Sequence, residues 1–383
     1  MRDKFIYFAT IIALLFFTSC REEEYIILSE DESIEAAIEP NANPYGFYLL
    51  NEGNMGSNKA TLDFMNFTTG VYTHNIYAEQ NPNVVKELGD VGNDSKIYDN
   101  KLWLVINASH KVEVVDAKTA IRIGQIDIPN CRYIVFDGNF AYVSSYVTTI
   151  IGDVNAQEGA IFKIDIKSLE ITGEVKVGRQ PEEMVIKGGY LYVANSGGYN
   201  SDNYDNTVSV IRLSSFTQIE KKEVAINLHR MRLDKNGKIW VLSRGDYYTM
   251  PPQLFRLETN SNGSIKRVEA TNLQCSNFDI CNDKIYMYNA PYKGNAISNN
   301  ITYSVADIET ATIIDDNFIK DGTEKLIKVP YTIKINPETK EVFICDAKNY
   351  VSSGTITCYS PEGVKRWSVF TGDIPSTITF IYK

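Results

Sequence analysis

Histidine is scarce in this chain, with three in 383 residues, at His74, His110 and His229. They fall far apart and share no ligand spacing, so an imidazole-based zinc site is excluded as an expectation. The six cysteines include no closely spaced pair of the kind that binds zinc or runs redox chemistry. Also missing are Gly-x-Ser-x-Gly, His-Glu-x-x-His and the glycine-rich phosphate loop, the compact signatures of hydrolases, metalloproteases and nucleotide binders. Basic charge is in deficit, 38 Lys and Arg against 48 Asp and Glu for a net charge of -10. Nucleic acid is therefore not an expected partner, because backbone binding needs a concentrated basic surface.

Long apolar runs are also rare. One follows Arg2 and Lys4, from Phe5 to Phe17, and ends at Thr18-Ser19-Cys20. It is too short to favour a permanent span, and it reads as a lipoprotein signal peptide over residues 1–19 with Cys20 as the lipidated first residue. A plain anchor helix, or a cleaved signal with an incidental cysteine, is the alternative. Residues 20–45 are rich in acids, from Glu22-Glu23-Glu24 to Glu39, and are expected to bury little apolar surface and to form a solvated tether. The acidic triplet after Cys20 resembles the surface-export signal of Bacteroidetes-type lipoproteins, which implies outer-membrane anchoring with the body facing the cell exterior. A periplasm-facing tether is the other reading.

What the chain does have is repetition. Seven short apolar runs recur: Tyr48–Asn51, Leu102–Val105, Ala141–Ser144, Leu191–Ala194, Ile239–Leu242, Ile285–Tyr288 and Val342–Cys345. Their spacing is near the ~40 to 50 residues of one four-stranded propeller blade. The runs are apolar at both parities, as expected of strands covered on both faces by neighbouring blades. Turn signals sit between runs, for example Gly188-Gly189 and Asp234-Lys235-Asn236-Gly237. The fold class expected is all-β, a seven-bladed β-propeller over residues 46–383. The first repeat lacks an opening strand, whereas Gly372 to Tyr382 resembles the opening of the fourth repeat from Gly178 onward. The C-terminal strand is thus expected to join the N-terminal blade and close the ring.

Function then falls to the loops. Those between the second and third strands of each repeat are long and rich in Tyr and Asn, residues that suit recognition surfaces. They supply Asn54, Tyr146, Tyr199, Tyr204, Arg244, Tyr247, Tyr248, Tyr292 and Tyr350 as candidate ligand contacts. The connections into each inner strand add Asp94, Arg132, Glu182, Glu183, Arg230, Asn277, Tyr331 and Ser376 near the channel entrance. Each tyrosine has packing against a neighbouring loop as its plain alternative, and for the charges the alternative is pairing around the rim. Two further alternatives stay open. Asn200, Asp202, Tyr204, Asp205 and Asn206 have calcium-type donors without the complete spacing of a calcium loop. Cys345 and Cys358 lie on consecutive expected strands, where a disulfide or buried free thiols would fit.

Asn51 to Asp63, Gly89 to Asp94 and Val112 to Thr119 carry a family resemblance. They resemble the YncE-like, DUF5074-type surface propellers of Bacteroidetes, and within these the cobalamin-capturing lipoproteins called BtuG. The resemblance implies a non-catalytic protein with no intrinsic cofactor or metal. It would bind cobalamin or a related corrinoid as ligand and pass it to a BtuB-type TonB-dependent transporter. A glycan- or protein-binding adhesion propeller is the second expectation. An extracellular lyase or hydrolase using Asp94 and Glu183 is the third.

Overall fold

The computed structural model describes residues 29–84, 88–155, 157–293, 296–297 and 300–383. Seven antiparallel sheets stand around a central axis, each a meander of four strands with one addition noted below. The inner strands, in ring order from the first blade, are Pro375–Ile381, Gly92–Tyr98, Cys131–Asp137, Pro181–Lys187, Leu228–Leu233, Asn277–Cys281 and Pro330–Ile335. The seven apolar runs form the second strands. Gly46–Asn51 is buried at every position, and Lys101–Ile106 at all but the first.

Ring closure follows the expectation. Pro375–Ile381 pairs antiparallel with Gly46–Asn51, setting Gly46 opposite Ile381 and Phe47 opposite Phe380. This gives the first blade its inner strand and removes two free sheet edges. Between the last and first blades an aromatic cluster fills the seam. Phe343 meets Phe47 at 5.4 Å and Phe380 at 5.8 Å, both edge to face, and Trp367 at 5.9 Å. Edge-to-face contact lets a ring's positive rim meet its neighbour's negative face.

In four blades a polar residue just beyond the apolar run has a structural use. It sits where the inner strand begins and satisfies groups the loop leaves unpaired. Asn107 donates to Asn130 Oδ1 and to the Cys131 carbonyl, Ser145 to Pro129 and Ser243 to Ile226. Asp346 accepts from the backbone N–H groups of Lys328 and Val329.

The acidic stretch departs from expectation. From Glu30 to Tyr45 it is docked chain and not a solvated tether. Glu30–Ser33 adds a fifth, outer strand to the first blade, pairing with Val71–His74. Ile34, Ala37 and Ala42 are buried against Phe67, Met65 and Tyr72. Arg366 ties Glu39 at 2.9 Å and also holds Glu341. Three apolar residues and an open sheet edge suffice where composition alone suggested solvation. Cys20 lies outside the described residues. Among those described, no helix is long and apolar enough to cross a membrane.

The five described cysteines are free and buried. Cys345 and Cys358 are not cross-strand partners, since Cys345 opposes Ile356 and Cys358 opposes Phe343.

Candidate functional site

Each meander brings the start of the inner strand and the loop between second and third strands to the same face, here termed the mouth. Five of the seven entries into an inner strand pass through a left-handed residue: Val91, Asn130, Gln180, Asn227 and Ile374. For the β-branched Val91 and Ile374 that conformation is costly, so surrounding packing must impose it. The sharp bend aims the next residues at the axis.

At the mouth those residues build a cationic cluster. Arg132 grips Glu182 through two nitrogens, at 3.2 and 3.1 Å, and Tyr146 donates to the other Glu182 oxygen at 2.7 Å. Arg244 approaches the same carboxylate at 3.6 Å. Arg132 and Arg230 stack over the Tyr133 ring, at 5.7 and 5.5 Å, a cation–π arrangement strengthened by desolvation. The Tyr133 hydroxyl lies 2.7 Å from His229 Nε2. Across the opening, Tyr331 hydrogen-bonds Glu52. Its carbonyl accepts from Tyr288 at 2.7 Å and Asn277 at 3.1 Å.

Charge states follow from these neighbours. Burial pushes the Glu182 carboxyl up, but Arg132 and Arg244 outweigh it and hold the group below the ordinary value. Glu52 goes the other way, because burial raises it and Tyr331 with the arginines only partly offsets that. Burial first, then Arg244, Arg230 and Arg132, press the His229 imidazole well below its usual value, so it is neutral at neutral pH.

A cavity of about 970 Å³ opens above this cluster. His229, Arg230, Arg244, Tyr247, Tyr248, Met250, Tyr288, Tyr331 and Tyr350 are among its walls. Tyr248 is 84% exposed, and Tyr331 meets Tyr350 edge to face at 6.1 Å. Tyr204 stands beside this wall, its phenol raised by burial and by nearby Tyr247 and Asp246.

The residues singled out from sequence thus divide. Arg230, Arg244, Tyr247, Tyr248, Tyr331 and Tyr350 meet in one cavity. Arg132 and Tyr146 form its buried support, and Tyr199 packs on Tyr146 at 5.9 Å. Asn54 closes its own loop, its carbonyl accepting the Ser57 N–H at 2.9 Å. The side chain of Tyr292 lies outside the described residues.

Asp94 and Glu183 sit one layer deeper, on the channel wall, and join blades. Each accepts a backbone N–H from the next blade's inner strand, Asp94 from Ile134 at 3.0 Å and Glu183 from Met231 at 2.7 Å. Asp279 repeats the device with Ile335 at 3.2 Å. Cations cover the same carboxylates: Lys96 on Asp94, Arg232 on Glu183, Lys334 on Asp279. Asp205, a calcium-type candidate, is taken up by the N–H groups of Arg179 and Thr207. Among the described residues no cluster of three or more His, Cys, Asp or Glu could hold a metal ion.

Sequence reasoning did not select Tyr133, His229, Tyr288 or Glu52 as contacts. Aligning the repeats on the start of the inner strand would have found two, since Tyr133 and His229 both fall there.

Solved structures share the fold at low identity. A quinonprotein alcohol dehydrogenase-like protein from Bacteroides thetaiotaomicron is 16% identical with a TM-score of 0.58, over 89% of this chain and 79% of that one. A hypothetical selenium-binding protein from Sulfolobus tokodaii is 11% identical with a TM-score of 0.61, over 90% and 97%. A dihydro-heme d1 dehydrogenase is 11% identical with a TM-score of 0.53, over 92% and 80%. No curated protein matches the sequence. The model of the domain of unknown function DUF5074 matches residues 45–381, nearly the whole propeller, and the chain belongs to that family.

Proposed function

We propose that this protein is a non-catalytic capture propeller that binds cobalamin or a related corrinoid at the mouth and passes it to a TonB-dependent outer-membrane transporter. The observation that carries this reading is the mouth cavity. At about 970 Å³ it stands at the upper end of small-molecule sites, and it offers tyrosine faces for a broad macrocycle and hydroxyls for peripheral amides. The resemblance of the sequence to cobalamin-capturing lipoproteins supports the same ligand. Chain direction supports delivery. Glu30 pairs with His74 at the mouth end of the outer strand, so the polypeptide enters the fold on the mouth side. An anchor at Cys20 would attach to the propeller on that side.

Equilibrium titration of the soluble propeller with cyanocobalamin tests the ligand. Saturable binding is expected, and none at micromolar corrinoid overturns the assignment. A second reading draws on Glu52, whose raised carboxyl pKa and bond to Tyr331 suit a proton donor beside a cavity. Turnover of a polysaccharide, abolished by Glu52→Gln, would favour that reading.

A further inference from the structure

The three guanidinium groups at the mouth are not equally engaged. Arg132 spends its fork on Glu182. Arg230 and Arg244 come no closer to a carboxylate than 3.8 and 3.6 Å, beyond hydrogen-bonding reach. Arg230 Nε is buried and finds no hydrogen-bond partner among the described residues. Both side chains line the cavity, and His229, next to Arg230 in the chain, lies between aromatic and cationic neighbours without adding charge. Two fork-shaped cations with spare donors therefore face a partly desolvated space, on a chain whose net charge is -10. Such forks match the paired oxygens of phosphate or carboxylate, and a buried unpaired donor is costly until a ligand meets it.

We propose that Arg230 and Arg244 form an anion subsite in the mouth cavity, and that it takes the phosphodiester of the corrinoid's nucleotide arm. This rests on the corrinoid reading above. The peripheral amides of a corrinoid are neutral, so the phosphodiester is the group for which two guanidiniums discriminate. Tyrosine walls would take the macrocycle, and the cation pair would fix which way its nucleotide arm points.

Cyanocobalamin and dicyanocobinamide separate the two ideas, since the second lacks the nucleotide arm. The wild-type protein should bind cyanocobalamin more tightly. Arg244→Met should weaken cyanocobalamin about tenfold to a hundredfold, the span of a charge-assisted hydrogen bond, and change cobinamide affinity less than about threefold. Arg230→Lys keeps the charge beside Glu183 while removing the fork, and it should follow the same pattern. Retained cobinamide binding shows that each variant is folded. Equal losses for both ligands, or no loss for either, overturn the subsite. If the wild-type protein binds neither corrinoid, the ligand assignment fails, and inorganic phosphate then tests the subsite alone. A saturable rise in melting temperature, measured against sodium chloride at equal ionic strength and absent in Arg244→Met, supports it. No such rise in the wild-type protein overturns it.

Discussion

Phe47 and Phe380 lie 333 positions apart in the chain and face each other across the seam that closes the ring. Their rings sit 6.3 Å apart, edge to face, and both touch Phe343. If closure holds the propeller together, these two distant residues must be energetically coupled. Phe47 is fully buried, so Phe47→Ala should cost about 3–5 kcal/mol in lost burial and cavity formation. Phe380 is only partly buried and should cost less. The pair contact itself should contribute about 0.5–1.5 kcal/mol beyond area burial.

For a cooperative unit of this size, an unfolding entropy of ~2.1 cal/mol/K per residue converts the Phe47→Ala loss into a fall of about 4–7 °C in melting temperature. The assay is a double-mutant cycle on the soluble propeller by thermal and urea unfolding, using Phe47→Ala, Phe380→Ala and both together. A coupling above about 0.5 kcal/mol is expected, because residues sharing a packed cluster are not additive. Ile313→Ala, on the exposed outer strand of the sixth blade, is the control and should leave stability nearly unchanged. Additivity within about 0.3 kcal/mol would refute the coupling and with it the closure energetics.

Three other outcomes follow from burial and charge. Glu182 and Glu183 are both held below the ordinary glutamate value of 4.5, so their stabilisation is present above that pH and lost as pH falls through their folded values. Melting temperature should decline steeply in that acid range, and the Glu182→Gln, Glu183→Gln double variant should start lower at neutral pH and decline less; an identical slope counts against it. The His229 ring should keep the NMR shifts of a neutral imidazole as pH falls through its usual value of 6.5, and a midpoint there would contradict the cationic mouth. The five described cysteines should resist a thiol reagent in the native protein and react after denaturation, Cys131 being buried with its thiol pushed up to about 12. Rapid native labelling would show that these seams are open.

The blades were legible because the signal that defines them is local. A second strand covered on both faces must be apolar at both parities, and Leu102-Trp103-Leu104-Val105 announces this without reference to any other part of the chain. Closure was legible by counting, since one repeat lacked an opening strand and the C-terminus had one to spare. The docked stretch after Glu30 was hidden because the apolar residues it buries, Ile34, Ala37 and Ala42, are interspersed with acids that stay at the surface. At the mouth the difficulty is one of direction. Glu182 and Glu183 are adjacent and of one type, yet successive strand residues point opposite ways. One carboxylate faces Arg132 and Arg244 beneath the cavity; the other turns to Met231 and Arg232 and binds the next blade. Charge near an inner strand therefore located the mouth but could not assign its members. That assignment needs the register of a strand against neighbours as distant as Glu52 is from Tyr331, which only the closed ring supplies.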